Sequence, residues 1–118
     1  MKFICYPKCS TCKKAGGWLK EHEIQTEYRD ISLDNPTYDE LKTWVAASGL
    51  PLKRFFNTSG LKYRSLDLKN KLPFMSEEEQ LRLLSTDGLL VKRPILLGEE
   101  FVLVGFREEE WAAALEIR

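Results

Sequence analysis

The chain has 118 residues, and its 18 basic and 18 acidic side chains leave no formal net charge. That length fits one domain around one core. The charge balance excludes a nucleic-acid surface built on basic excess and an acidic interaction tail, so direct nucleic-acid binding is not expected.

The first apolar run, Phe3-Ile4-Cys5-Tyr6, reads as a strand covered on both faces and is stopped by Pro7. Four residues are too few for a signal-peptide core or a membrane span, so a cytoplasmic chain with no membrane partner is expected. In that compartment thiols are kept reduced. Cys9-Ser10-Thr11-Cys12 therefore reads as catalytic, redox-sensing or metal-binding rather than as a structural bridge. A helix follows from about Cys9 or Ser10 to Glu21, with Ala15, Trp18 and Leu19 as its packing stripe. Both thiols thus sit at a helix start, where unpaired N–H groups and the helix dipole favour a thiolate. This places the more acidic, more nucleophilic sulfur at Cys9, with Cys12 one turn away. Gly16-Gly17 costs the helix about 1 kcal/mol per residue against Ala, for which close backbone packing is one explanation.

A second strand, best placed at Thr26–Asp30, completes a β-α-β unit with a parallel pair. Thr37 to Glu40 matches a capping box, and the helix behind it is expected to bury Tyr38, Leu41, Trp44 and Val45 before ending at Ser48-Gly49. Leu52 to Phe56 reads as a short helical turn and Asn57 to Gly60 as a polar loop. One or two short helices follow, ending before Pro73. Ser76 to Glu79 is a second capping box, opening a helix with Leu81, Leu83 and Leu84 that stops near Asp87-Gly88. Strands resume at Ile95–Leu97 and Phe101–Val104 around a Gly98-Glu99-Glu100 turn, and a final helix spans Arg107–Leu115. The organisation is α/β: β-α-β, a helical insert at about 33–88, then β-β-α, within a single domain over 1–118 that is expected to be monomeric.

Three cysteines form an odd set, which fits one pair plus one buried thiol. Cys5, inside an apolar strand, reads as a small buried hydrophobe. His22, near the far end of the first helix, reads as a solvated residue. A zinc site would need both of them to converge on Cys9, which their placement disfavours, so no metal is expected. Lys8, Lys13 and Lys14 flank the thiols and are either simply solvated or help to acidify them and attract an anion.

Across nearly its whole length the chain resembles the arsenate reductase (ArsC)/Spx family. The matching pieces are Tyr6-Pro7-Lys8-Cys9-Ser10-Thr11-Cys12-Lys13-Lys14-Ala15, Phe55-Phe56-Asn57-Thr58-Ser59-Gly60, Lys92-Arg93-Pro94-Ile95 and Val104-Gly105-Phe106. The resemblance implies a thioredoxin-like (glutaredoxin-like) mixed four-stranded sheet, with Pro94 in cis and facing the cysteine loop. Glutaredoxin-dependent arsenate reductases of the family carry His-x3-Cys-x3-Arg around the nucleophile; here the pattern is Cys5-x3-Cys9-x3-Lys13. Cys12 stands where those enzymes typically have Ser. Of their three further arginines, Arg93 matches one and Asn57 replaces another, while Arg107 is offset from the third.

Lys and Asn cannot reproduce the bidentate fork by which Arg holds an oxyanion, so arsenate turnover is expected to be weak or absent. The resemblance therefore implies a thiol-disulfide oxidoreductase in which Cys9 attacks and Cys12 resolves. Lys13, Asn57, Arg93 and Pro94 stand at substrate-binding positions. No bound cofactor is expected; the partners are a disulfide substrate or small oxyanion and an external thiol donor such as glutathione, glutaredoxin or thioredoxin. The same Cys-x-x-Cys occurs in Spx-type regulators, which implies an alternative: a redox-sensing module that binds the C-terminal domain of the RNA polymerase alpha subunit. The segment Asn57 to Arg64 resembles a reductase-like branch of the family more than the Spx branch.

Overall fold

Strand β1 (Lys2–Cys5) has two neighbours and is buried from Phe3 onward, as its unbroken apolar run requires. It pairs in parallel with β2 (Glu27–Asp30) and antiparallel with β3 (Ile95–Leu97), which pairs antiparallel with β4 (Val102–Val104). The sheet order is β2-β1-β3-β4, a mixed, thioredoxin-like arrangement. The computed structural model describes residues 1–117. The chain divides into two compact units: Met1–Asp30 with the chain from Arg93 onward, and Ile31–Lys92.

In the sheet unit, alternation along β1 points Phe3 and Cys5 to one face. There they join Cys12, Ala15, Trp18 and Leu19 of helix α1 (Ser10–Glu21), Leu96 of β3, and Trp111 of helix α6 (Glu108–Ala114) in one apolar cluster. Trp111 meets Phe3, Trp18 and Phe106 edge-on, with ring centroids 6.3, 6.2 and 4.9 Å away. Ile4, Ile95 and Val104 form a second buried row in direct register on the opposite face. Gly105, at a φ of 76°, turns the chain out of β4. Its N–H donates to the Pro94 carbonyl at 2.8 Å, and its carbonyl accepts from Trp111 Nε1 at 3.0 Å.

The helical unit is built on local signals. Thr37 caps α2 (Tyr38–Ser48) through a capping box: Glu40 N–H donates to Thr37 Oγ1 at 3.1 Å, and Thr37 N–H donates to Glu40 Oε1 at 3.0 Å. Gly49, at a φ of 69°, ends it. After a 3-10 turn at Leu52–Phe55 come α3 (Leu61–Ser65), α4 (Leu68–Lys71) and a second 3-10 turn at Leu72–Phe74. Helix α5 (Glu77–Leu84) carries the second capping box, from Ser76. Phe55, Phe56, Leu41, Leu84, Leu90 and Val91 are fully buried in this unit, and Phe56 and Val91 pair through a β-bridge.

Some boundaries differ from the sequence expectation. Both short helices end before Pro73, as expected, but a 3-10 turn follows that includes Pro73, where its missing N–H costs no hydrogen bond. Helix α5 ends at Leu84; Asp87 then accepts Leu89 N–H through Oδ1 at 2.9 Å and starts a 3-10 turn, Gly88–Leu90. Gly88 is buried there, and a Cβ would collide with the Ile31 carbonyl oxygen. Strand β4 begins at Val102, because the Phe101 carbonyl closes the turn by accepting Gly98 N–H at 2.9 Å. Tyr38, Val45 and Leu83 are half-buried instead of core. Close packing does not account for both glycines of α1: a Cβ on Gly16 would make ordinary contact with the Phe3 ring at 3.6 Å, and one on Gly17 would meet nothing. No helix among the described residues is long and apolar enough to cross a membrane.

Candidate functional site

Cys9 is the N-cap residue of α1, in extended conformation, so the helix begins immediately behind its sulfur. Its N–H closes the Pro7-Lys8 turn onto the Tyr6 carbonyl at 3.0 Å, and its carbonyl accepts the first helical bond from Lys13 at 3.1 Å. The Cys9 side chain accepts no capping bond and is half-exposed. Cys12, one turn inside the helix, is buried, 4 % exposed. All three cysteines are free thiols.

Thiolate-stabilising groups gather on Cys12. The Cys5 thiol hydrogen-bonds to it, Tyr6 N–H points at its Sγ from 3.4 Å, the Cys9 thiol donates to it, and the Arg93 guanidinium adds positive charge. Together they outweigh burial and hold Cys12 down at about 6. Cys5 is the opposite case: its bond to Cys12, burial and the neighbouring sulfurs push it strongly up, so it keeps its proton. The sequence expectation put the more acidic sulfur at Cys9, from helix-terminus effects alone; it did not foresee the groups that converge on Cys12. It also treated Cys5 as an inert hydrophobe, whereas β1 and α1 bring Cys5 and Cys12 together.

The remaining candidates fall in two places. Arg93 lies over the Tyr6 ring, 5.2 Å from its centroid, and Tyr6 thereby holds the guanidinium beside the thiols. The Arg93-Pro94 peptide bond is cis, and Pro94 is buried. Lys13 is exposed on the first turn of α1 and lines a cavity of about 350 Å³ together with Cys5, Tyr6, Pro7, Cys12 and Tyr28. Lys8 and Lys14 are exposed. Asn57 belongs to the helical unit. There its N–H donates to the Leu90 carbonyl at 2.8 Å, and its side-chain amide reaches the Leu89 carbonyl at 3.4 Å. His22 stays at the C-terminal end of α1, bonding the Trp18 carbonyl through Nδ1 at 2.8 Å. Among the described residues no group of three or more His, Cys, Asp or Glu is arranged to hold a metal. Sequence reasoning missed Tyr6, whose aromatic ring two residues before a basic turn was the available signal, and the nearness of Cys5 to Cys12.

Comparison with known proteins agrees with this architecture. The chain is 51% identical over 111 residues to the uncharacterized protein YusI of Bacillus subtilis, a match covering 94% of each. It is 30% identical over 102 residues to the global transcriptional regulator Spx 2 of Bacillus cereus, covering 86% of this chain and 76% of the regulator. A crystal structure from Bacteroides fragilis, described as ArsC family related, superposes with a TM-score of 0.93 at 57% identity, covering 96% of this chain and 97% of that one. The family model for the ArsC family matches residues 5–114, and the chain belongs to that family.

Proposed function

We propose that the protein is a thiol-disulfide oxidoreductase that works through a Cys9–Cys12 pair. The observation that carries this reading is the division of labour between the two sulfurs: Cys9 is accessible, and Cys12 is buried but acidified. Exchange needs an attacking sulfur that a substrate can reach and a second thiolate able to displace the adduct. Cys9, losing its proton, attacks one sulfur of a substrate disulfide and expels the other half as a thiolate. The Cys12 thiolate then attacks Cys9 Sγ, closing the Cys9–Cys12 disulfide and releasing the second half. The pair loses two electrons and the substrate gains them. An external dithiol, or two equivalents of glutathione, restores the pair; attack at the accessible Cys9 sulfur expels Cys12, whose low pKa makes it a good leaving group. Arg93 supplies positive charge to the anionic sulfurs. Arsenate is a poorer substrate on this reading, because Lys13 and Asn57 lack the guanidinium fork.

Turnover of a low-molecular-weight disulfide with thioredoxin or glutathione as donor tests this reading. Cys9→Ser should abolish turnover, and Cys12→Ser should accumulate a mixed disulfide at Cys9, read by mass. Full turnover in Cys9→Ser would sink the proposal. Arsenate reduction that survives Cys12→Ser with glutathione and glutaredoxin would favour a monothiol route instead. A second reading draws support from the similarity to Spx regulators: a cytoplasmic module whose disulfide switches binding to the RNA polymerase alpha C-terminal domain. Binding of that purified domain in one redox state, without disulfide turnover, would reverse the order of the two.

A further inference from the structure

We infer that the helical unit carries a binding site of its own, for a small phosphate monoester with an apolar body. The site is a cavity of about 320 Å³ lined by Pro51, Lys53, Arg54, Phe56, Thr58 and Lys92, all within Ile31–Lys92. It shares no residue with the cysteine loop, so the inference stands apart from the oxidoreductase reading and goes beyond it. Three of the lining side chains are cations, one is a hydroxyl, and none is a carboxylate. Among the described residues none of these three cations has an ion pair or a side-chain hydrogen bond, whereas the same unit pairs Lys62 with Asp87 at 3.5 Å and Arg82 with Glu78 at 2.9 Å. The segment from Lys53 to Lys71 holds six basic residues and one acidic residue, Asp67, although the whole chain is neutral. Like charges gathered on one cavity repel one another, and an anion seated among them removes that cost.

Backbone bonds preset the frame. Lys53 and Arg54 stand in the 3-10 turn Leu52–Phe55, and the Lys53 carbonyl accepts Phe56 N–H at 3.2 Å. Phe56 then bridges to Val91, and Lys92 N–H donates to the Phe55 carbonyl at 2.8 Å, which fixes Lys92 beside the turn. The cations thus come from two chain segments held in register. The chemistry of the lining selects the ligand class. Two ammonium groups, a guanidinium fork and a hydroxyl offer more donors than the two oxygens of a carboxylate accept. They match the three terminal oxygens and nearly double negative charge of a phosphate monoester. The volume is at the small end of pockets that hold organic ligands, which begin at about 300 Å³. Pro51 and Phe56, the latter 1 % exposed and part of the core, give the apolar body its wall.

The test is a titration of the reduced 118-residue chain with phenyl phosphate, followed through its amide chemical shifts. Binding should saturate at about millimolar concentration, an ordinary affinity for a ligand of that size, with the largest shifts in residues 51–58 and 90–92. Inorganic phosphate should bind at the same residues and more weakly. Arg54→Met, which keeps an apolar stem and loses the charge, should weaken phenyl phosphate about tenfold, and Lys53→Met and Lys92→Met about threefold or more. Lys42→Met removes an exposed charge of the same unit that does not line the cavity, and should leave binding within about twofold of the parent. Absence of saturation, shifts centred on the cysteine loop, or equal weakening by Lys42→Met and the lining variants would each overturn the inference. Inorganic phosphate that binds as tightly as phenyl phosphate would overturn the assignment of an organic ligand.

Discussion

Gly105 makes three commitments at once. Its φ of 76° turns the chain out of β4, its N–H holds the carbonyl of Pro94, and its carbonyl receives the indole N–H of Trp111. A side chain at that φ costs about 1–2 kcal/mol. Gly105→Ala is therefore expected to destabilise the fold by about 1–2 kcal/mol, seen as a lower urea midpoint. The variant should also loosen the segment that carries Arg93, the charge closest in effect to Cys12. Trp111 fluorescence across the unfolding transition checks the first expectation. An unchanged midpoint would show that the backbone relaxes without cost.

At the scale of elements, α1 carries the site on a helix that is weaker than it needs to be for packing. Gly17 is exposed in mid-helix, and a Cβ there would touch nothing. Gly17→Ala should stabilise the protein by up to about 1 kcal/mol, seen as a higher urea midpoint with an unchanged slope. No gain would mean that the glycine matters to the folded helix in a way its surroundings do not show. The helical unit, by contrast, was legible in the placement of its main helices. Both capping boxes and the Gly49 stop are local patterns, and local patterns survive in a sequence. The need for glycine at position 88 was not legible, because it comes from the approach of the Ile31 carbonyl from more than fifty residues away in the chain. The site was legible in outline for the same reason. Cys-x-x-Cys at a helix start is local, whereas the meeting of Cys5 with Cys12 depends on how β1 lies under α1.

At the scale of the whole molecule, the two buried thiols make stability depend on pH in opposite senses. Cys12 titrates lower folded than unfolded, at about 6. The folded chain therefore binds fewer protons at this residue above that pH, and stability rises with pH from about 6 toward the ordinary thiol range near 8.5. This contribution is lost as pH falls through the folded value. Cys5 is pushed up, so above the ordinary thiol range the unfolded chain releases a proton that the folded chain retains, and stability falls again. Urea unfolding of the reduced protein between about pH 5.5 and 8.5 should show a rise that Cys12→Ser flattens. Parallel profiles for the two proteins would mean that Cys12 titrates alike folded and unfolded.

The end of β1 has a consequence for protein engineering. Cys5 and the residue after it, Tyr6, supply a buried thiol packed with Cys12, a backbone N–H donor and an aromatic seat for Arg93. A Cys-Ser-Thr-Cys turn transplanted alone onto a foreign helix would leave all three behind. The portable unit is the turn together with the strand that feeds it. A register slip of one residue in that strand would turn Cys5 to the far face of the sheet.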